Sequence, residues 1–91
     1  MENIAVITVL GKDRKGIIAA ISQKLAEGGA NILDISQTIL RGMFTMTMMV
    51  DCSDLGIGFD EMRASLAALG SEMGIEVRMQ RKEIFEAMHR L

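Results

Sequence analysis

The sequence predicts an α+β fold, a four-stranded antiparallel sheet with two helices against one of its faces. Three observations predict it. Apolar residues alternate or run on in four short segments, they recur at helical spacing in two longer ones, and the two kinds follow the order β-α-β-β-α-β. With 91 residues, 49% of them hydrophobic and 24% charged, the chain is apolar enough for one packed domain and too short for two. A domain of this size buries only roughly 60 to 65% of the surface its unfolded chain exposes, so a second subunit is the expected supplement.

Residues 3–10 (NIAVITVL) are β-branched and nearly all apolar up to Gly11, as suits a central strand covered on both faces. A polar loop, GKDRKG, follows. Ile17, Ile18, Ile21 and Leu25 then recur at helical spacing from Gly16 to Glu27, and Gly28 and Gly29 stop that helix. Asn31 to Leu40 and Met43 to Asp51 read as two strands, joined by the two-residue turn Arg41-Gly42. In the second, Phe44, Met46, Met48 and Val50 alternate with Met43, Thr45, Thr47 and Met49.

After the loop DCSDLGIG, Phe59, Met62, Leu66, Leu69 and Met73 trace one helical face that ends near Gly74. Ile75, Val77 and Met79 alternate with Glu76, Arg78 and Gln80, the pattern of a half-exposed edge strand. Lys82 to Leu91 forms a short amphipathic tail helix, expected to pack through Ile84, Phe85, Met88 and Leu91. The expectation is therefore one domain over 1–91, with a ferredoxin-like βαββαβ core over about 3–81 and an extra C-terminal helix over about 82–91. The second sheet face should be apolar, through strand one with Met43 and Met49, and covered by the tail helix or a partner subunit.

Several function classes drop out on composition. Ten Lys and Arg against twelve Asp and Glu leave a net charge of −2, with no broad positive field for nucleic acid or an anionic membrane. The start MENIAVITVL lacks a basic signal region, and no apolar run approaches membrane-spanning length. A lone cysteine, Cys52, forms no internal disulfide, which points to the reducing cytoplasm. Asp51 and Asp54 beside it should raise its thiol pKa and disfavour thiolate chemistry. His89 has no second His or Cys at ligand spacing, so no metal site is expected, and the nine methionines read as core filler. Nucleophile, zinc and phosphate-loop motifs are missing, so neither catalytic residues nor a cofactor is expected. An RNA-binding sheet would need stacking aromatics, where only Phe44 lies on a suitable strand, and a copper chaperone would need paired cysteines in the first loop.

The first loop remains. Asp13 lies in a turn that opens a helix at Gly16, so unpaired amides near Gly16, Ile17 and Ile18 would welcome a carboxylate, and Asp13 an ammonium. Asn31 adds a neutral hydrogen-bonding group at the entrance to strand two. A side chain at Gly16 would be expected to crowd those amides. Ordinary turn and capping roles for Asp13 and Asn31 remain open at this point.

The stretch GKDRKGIIAAISQKLAEGGANILDISQTILRGMFTMTMMVD resembles the regulatory ACT domain, with its hydrophobic strand, G-x-D-x-x-G-I loop, helix, G-x-N-I and hydrophobic hairpin. DISQTIL, the F-T-M run and IFEAMHRL are similar to a family of small stand-alone ACT proteins of unassigned function, related to the glycine cleavage system transcriptional repressor. The resemblance implies effector binding between paired domains, here at Gly11, Asp13, Gly16, Ile17, Ile18, Asn31 and Ile32. Lys15 stands where the family often has proline. The implied function is a non-enzymatic sensor, a homodimer or larger, that binds a small amino acid or related metabolite and acts on a transcription regulator or metabolic enzyme. The alternatives are an ACT-shaped interaction module without ligand and a small hydrolase of acylphosphatase shape using Arg14 and Asn31.

Overall fold

The computed structural model describes residues 3–88. Along the chain come β1 (Ile4–Lys12), α1 (Ile17–Gly28), β2 (Asn31–Leu40), β3 (Met43–Asp51), α2 (Phe59–Met73), β4 (Ile75–Arg81) and α3 (Lys82–Met88). The strands lie in the order β2-β3-β1-β4, every neighbouring pair antiparallel. This is the ferredoxin-like arrangement with the additional C-terminal helix.

Alternation along the strands builds the core. Ala5, Ile7 and Val9 of β1 turn to the same side as Phe44, Met46, Met48 and Val50 of β3 and Ile75, Val77 and Met79 of β4. Against them α1 sets Ile17, Ile21 and Leu25, and α2 sets Met62 and Leu66, residues spaced by three or four. Each such side chain contributes about 1.5 to 3 kcal/mol through removal from water. The β2–β3 turn has φ of 53° at Arg41 and 79° at Gly42, the mirror-image turn whose twist matches the strands. β1 continues past Gly11 to Lys12, because Gly11 still pairs with Phe44 on one side and Ile75 on the other.

β2 departs from regular alternation. Ile32 pairs with Val50 and Asp34 with Met49, leaving Leu33 as an extra, bulged residue. Ile32, Ile35, Gln37 and Ile39 therefore all share the helix side of the sheet, opposite Val50, Met48, Met46 and Phe44. The helices cover little of this strand: Ile32 is half-buried and every other β2 residue is exposed.

α3 crosses the opposite sheet face and touches β1 and β4. Beneath this cover Val6 is 4% exposed, and Gln80 Nε2 lies 3.2 Å from Met88 Sδ. The helix is less embedded than its pattern predicts, with Ile84 52% and Met88 61% exposed and, of its apolar side chains, only Phe85 half-buried. Two turns that begin directly at a strand end span about 10 Å, too short to lay a whole apolar stripe on the sheet. Leu91 and His89 lie outside the described residues. The middle of this face is also more polar than expected. Ser36, Thr47, Thr8 and Arg78 form one row across all four strands, and Arg78 pairs with Glu76 at 2.6 Å. Met49 is half-buried, and Met43 is exposed at the hairpin end. Among the described residues, no helix is long and apolar enough to cross a membrane.

Candidate ligand pocket

The loop between β1 and α1 is held against the β2–β3 turn, where the Asp13 N–H donates to the Gly42 carbonyl at 2.8 Å. Gly16 then adopts φ of 87° and swings the chain into α1, whose first intrahelical bond runs from the Ala20 N–H to the Gly16 carbonyl at 2.9 Å. No side chain caps this helix, and its first turn holds no acidic residue, whereas the first turn of α2 holds Asp60 and Glu61. The amides of Ile17, Ile18 and Ala19 have no carbonyl one turn earlier to bond, so the positive end of α1 is open to an anion. A Cβ built on Gly16 meets nothing within 4 Å. Within the protein itself, glycine is required there by its backbone angle and not by crowding.

A depression of about 280 Å³ lies over this helix start, with Asp13, Gly16, Ile17 and Ile18 on one side and Gln37 and Ile39 of β2 on the other. Buried Phe44 forms part of its lining. Arg14 also borders it, but its guanidinium donates to the Met73 carbonyl at 3.0 Å and is engaged with the end of α2.

The structure thus brings together Asp13, Gly16, Ile17 and Ile18. Gly11 sits within β1, and a Cβ there would come 2.5 Å from Ile75 Cγ2, so close packing against β4 explains that glycine. Asn31 and Ile32 are at the far end of β2. Asn31 pairs with Asp51, which pairs with Ile4 at the beginning of β1, while the loop follows Lys12 at its end. Within one chain the ten-residue strand separates them by about 30 Å. Sequence reasoning missed Gln37 and Ile39. The available signal was the two-residue turn, whose register sets Gln37 opposite Met46 and Ile39 opposite Phe44, on the core side of β3.

Other reactive groups are quiet. Burial first, and the neighbouring Asp51 charge second, push the Cys52 thiol up, while Arg81 opposes them more weakly. Asp51 is held below its usual range by the Ser53 hydroxyl, which donates at 2.6 Å, and the Ser53 N–H, which donates at 2.9 Å. Among the described residues, no three His, Cys, Asp or Glu side chains gather as a metal site would require.

Comparison with known proteins places this geometry in a family. The profile of the ACT domain matches residues 3–80. A UPF0237 protein of Listeria monocytogenes is 53% identical over 87 residues, covering 96% of this chain and 98% of its own. The solved structure of an ACT domain protein from Streptococcus pneumoniae superposes with a TM-score of 0.80 at 43% identity, covering 94% of this chain and 97% of that one. A protein assigned as a glycine cleavage system transcriptional repressor superposes with a TM-score of 0.76 at 25% identity, over 90% of this chain but 47% of that one. With its profile match over residues 3–80 and a relative 53% identical over nearly the whole of both chains, the chain belongs to the UPF0237 proteins of the ACT domain family, whose domains are typically regulatory small-molecule-binding modules.

Proposed function

We propose that this protein is a non-enzymatic, homodimeric sensor of a small amino acid or related metabolite, working in the cytoplasm on a transcription regulator or metabolic enzyme. The observation that carries this reading is the open start of α1 beside Asp13, in a depression whose second wall is the exposed edge strand β2. An α-carboxylate would accept from the helix-start amides, and an α-ammonium would pair with Asp13.

The separation of Asn31 from the loop supports a dimer. If two β2 edges pair antiparallel about a two-fold axis, the start of one strand lies beside the end of the other. Asn31 of the partner subunit and Ile32 of the partner subunit then come to the loop, so each site is completed by a second copy. A repressor with this fold supports a regulated partner in transcription.

The test is calorimetric titration of the full chain with the twenty amino acids, with sedimentation at each ligand level. Asp13→Ala should lose about ten- to a hundredfold in affinity, the worth of one charge-assisted contact, and Lys12→Ala should lose little. Equal affinities for wild type and Asp13→Ala would remove the loop as the site. A stable dimer that binds no ligand would instead favour the interaction-module reading, for which the exposed β2 edge alone suffices.

A further inference from the structure

We propose that Gln37 reads the side chain of the bound amino acid, and that the site prefers a short, uncharged polar side chain over an aliphatic one of the same size. This rests on the loop being the amino-acid site. Gln37 occupies the helix-facing row of β2 between Ile35 and Ile39, a row that is otherwise isoleucine. It is the only neutral polar side chain among the described residues that line the depression, and it makes no hydrogen bond to them.

The loop and helix start form one wall, so a ligand anchored there by its two charged groups must direct its third substituent toward β2. That wall presents Ile39, with Phe44 below it, and the Gln37 amide. A carboxamide offers a donor and an acceptor without net charge and so matches a hydroxyl or a second carboxamide. An aliphatic side chain would shield the amide from water and return no hydrogen bond.

The experiment compares near-isosteric pairs by calorimetry on the full chain, threonine against valine and asparagine against leucine, in wild type and Gln37→Met. Wild type should favour the polar member of each pair by about tenfold, the worth of one hydrogen bond in a partly open site. Gln37→Met should level or reverse that preference while Asp13→Ala still weakens every ligand. Valine binding wild type as tightly as threonine, or a preference that survives Gln37→Met, overturns the assignment to Gln37 and leaves the loop site standing. Failure of all four to bind while another of the twenty amino acids binds in an Asp13-dependent way overturns the side-chain preference and leaves the loop site standing, and failure of all twenty overturns the loop reading and this one with it. Gln37 is exposed, so the variant should keep the wild-type melting curve.

Discussion

The two edges of the sheet are built differently. β4 has seven residues, its inward side chains Ile75, Val77 and Met79 are buried, and its outward Glu76 and Arg78 form an ion pair. Helix α2 lies so close to this edge that a Cβ on Gly70 would come 2.8 Å from the Ile75 carbonyl oxygen. β2 is longer at ten residues, carries a single charge, Asp34, and leaves Leu33, Ile35, Ile39 and Leu40 in solvent, the last two 54% and 69% exposed. Short length, charge and close cover are the devices that stop an edge from recruiting another strand. One edge has all three and the other has almost none, so β2, next to the candidate pocket, is the edge that the proposed self-pairing would use.

The contrast can be broken first in stability. Met79→Ala on β4 should cost about 2 to 5 kcal/mol, as for other buried methionines. Ile39→Ala on β2 should cost the isolated subunit within about 0.5 kcal/mol. Urea denaturation at low protein concentration compares them, and equal losses would erase the difference between the edges. Association gives the next largest effect. Leu33→Lys with Ile35→Lys places like charges along the proposed two-fold contact and should weaken the proposed dimer about a hundredfold, whereas Glu76→Lys on the other edge should leave sedimentation unchanged. A dimer lost through Glu76→Lys and kept in the double variant would mean that β4 is the contact.

Removal of α3 after Arg81 sharpens the comparison, because this helix shelters the β4 side of the sheet. Uncovering Val6 should cost about 1.5 to 3 kcal/mol in thermal unfolding and leave dimerisation through β2 intact. A truncated chain that melts with wild type would show that α3 contributes no cover. The smallest effect concerns acid. Asp51 pairs with Asn31 at the start of β2, and its carboxyl is held low by Ser53. A lowered folded value means that its contribution is complete above the unfolded pKa of about 3.9 and is lost as pH falls through the folded value below it. Ser53→Ala, which removes the hydroxyl bond and keeps the N–H one, should therefore lower stability at neutral pH, leave it unchanged below the folded value, and so flatten the acid limb of a stability profile. An equal drop at neutral and at acid pH would locate the role of Ser53 elsewhere.

Where one physical rule governs, the sequence was legible. The bounds of β2, β3 and α2 follow from alternation, helical spacing and the αL glycine that stops α2. Composition could not show that α3 would be only partly seated, since an amphipathic pattern states which side prefers burial and not how much sheet is within reach. Four residues of the predicted site meet because they are contiguous in chain and turn. Asn31 and Ile32 do not join them, because spacing along a chain carries no sign for the direction in which the next strand runs. Gln37 was hidden for a different reason: the hairpin register gives its face, opposite Met46, but no residue type announces that the helices leave that end of β2 exposed.

That bulge has a consequence in the arithmetic of odd and even. Ile32 and Ile35 face the helices although three positions separate them, which is possible only because Leu33 adds one unit to a two-step count. Deleting Leu33 would leave a strand with regular parity, each remaining β2 side chain keeping its partner across β3. Inserting a residue between Gln37 and Thr38 would instead invert every side chain beyond it. The deletion should retain the wild-type melting curve more nearly than the insertion, and the reverse ranking would contradict the register. Position 33 is thus where a lineage of such chains can change length without rewriting its core.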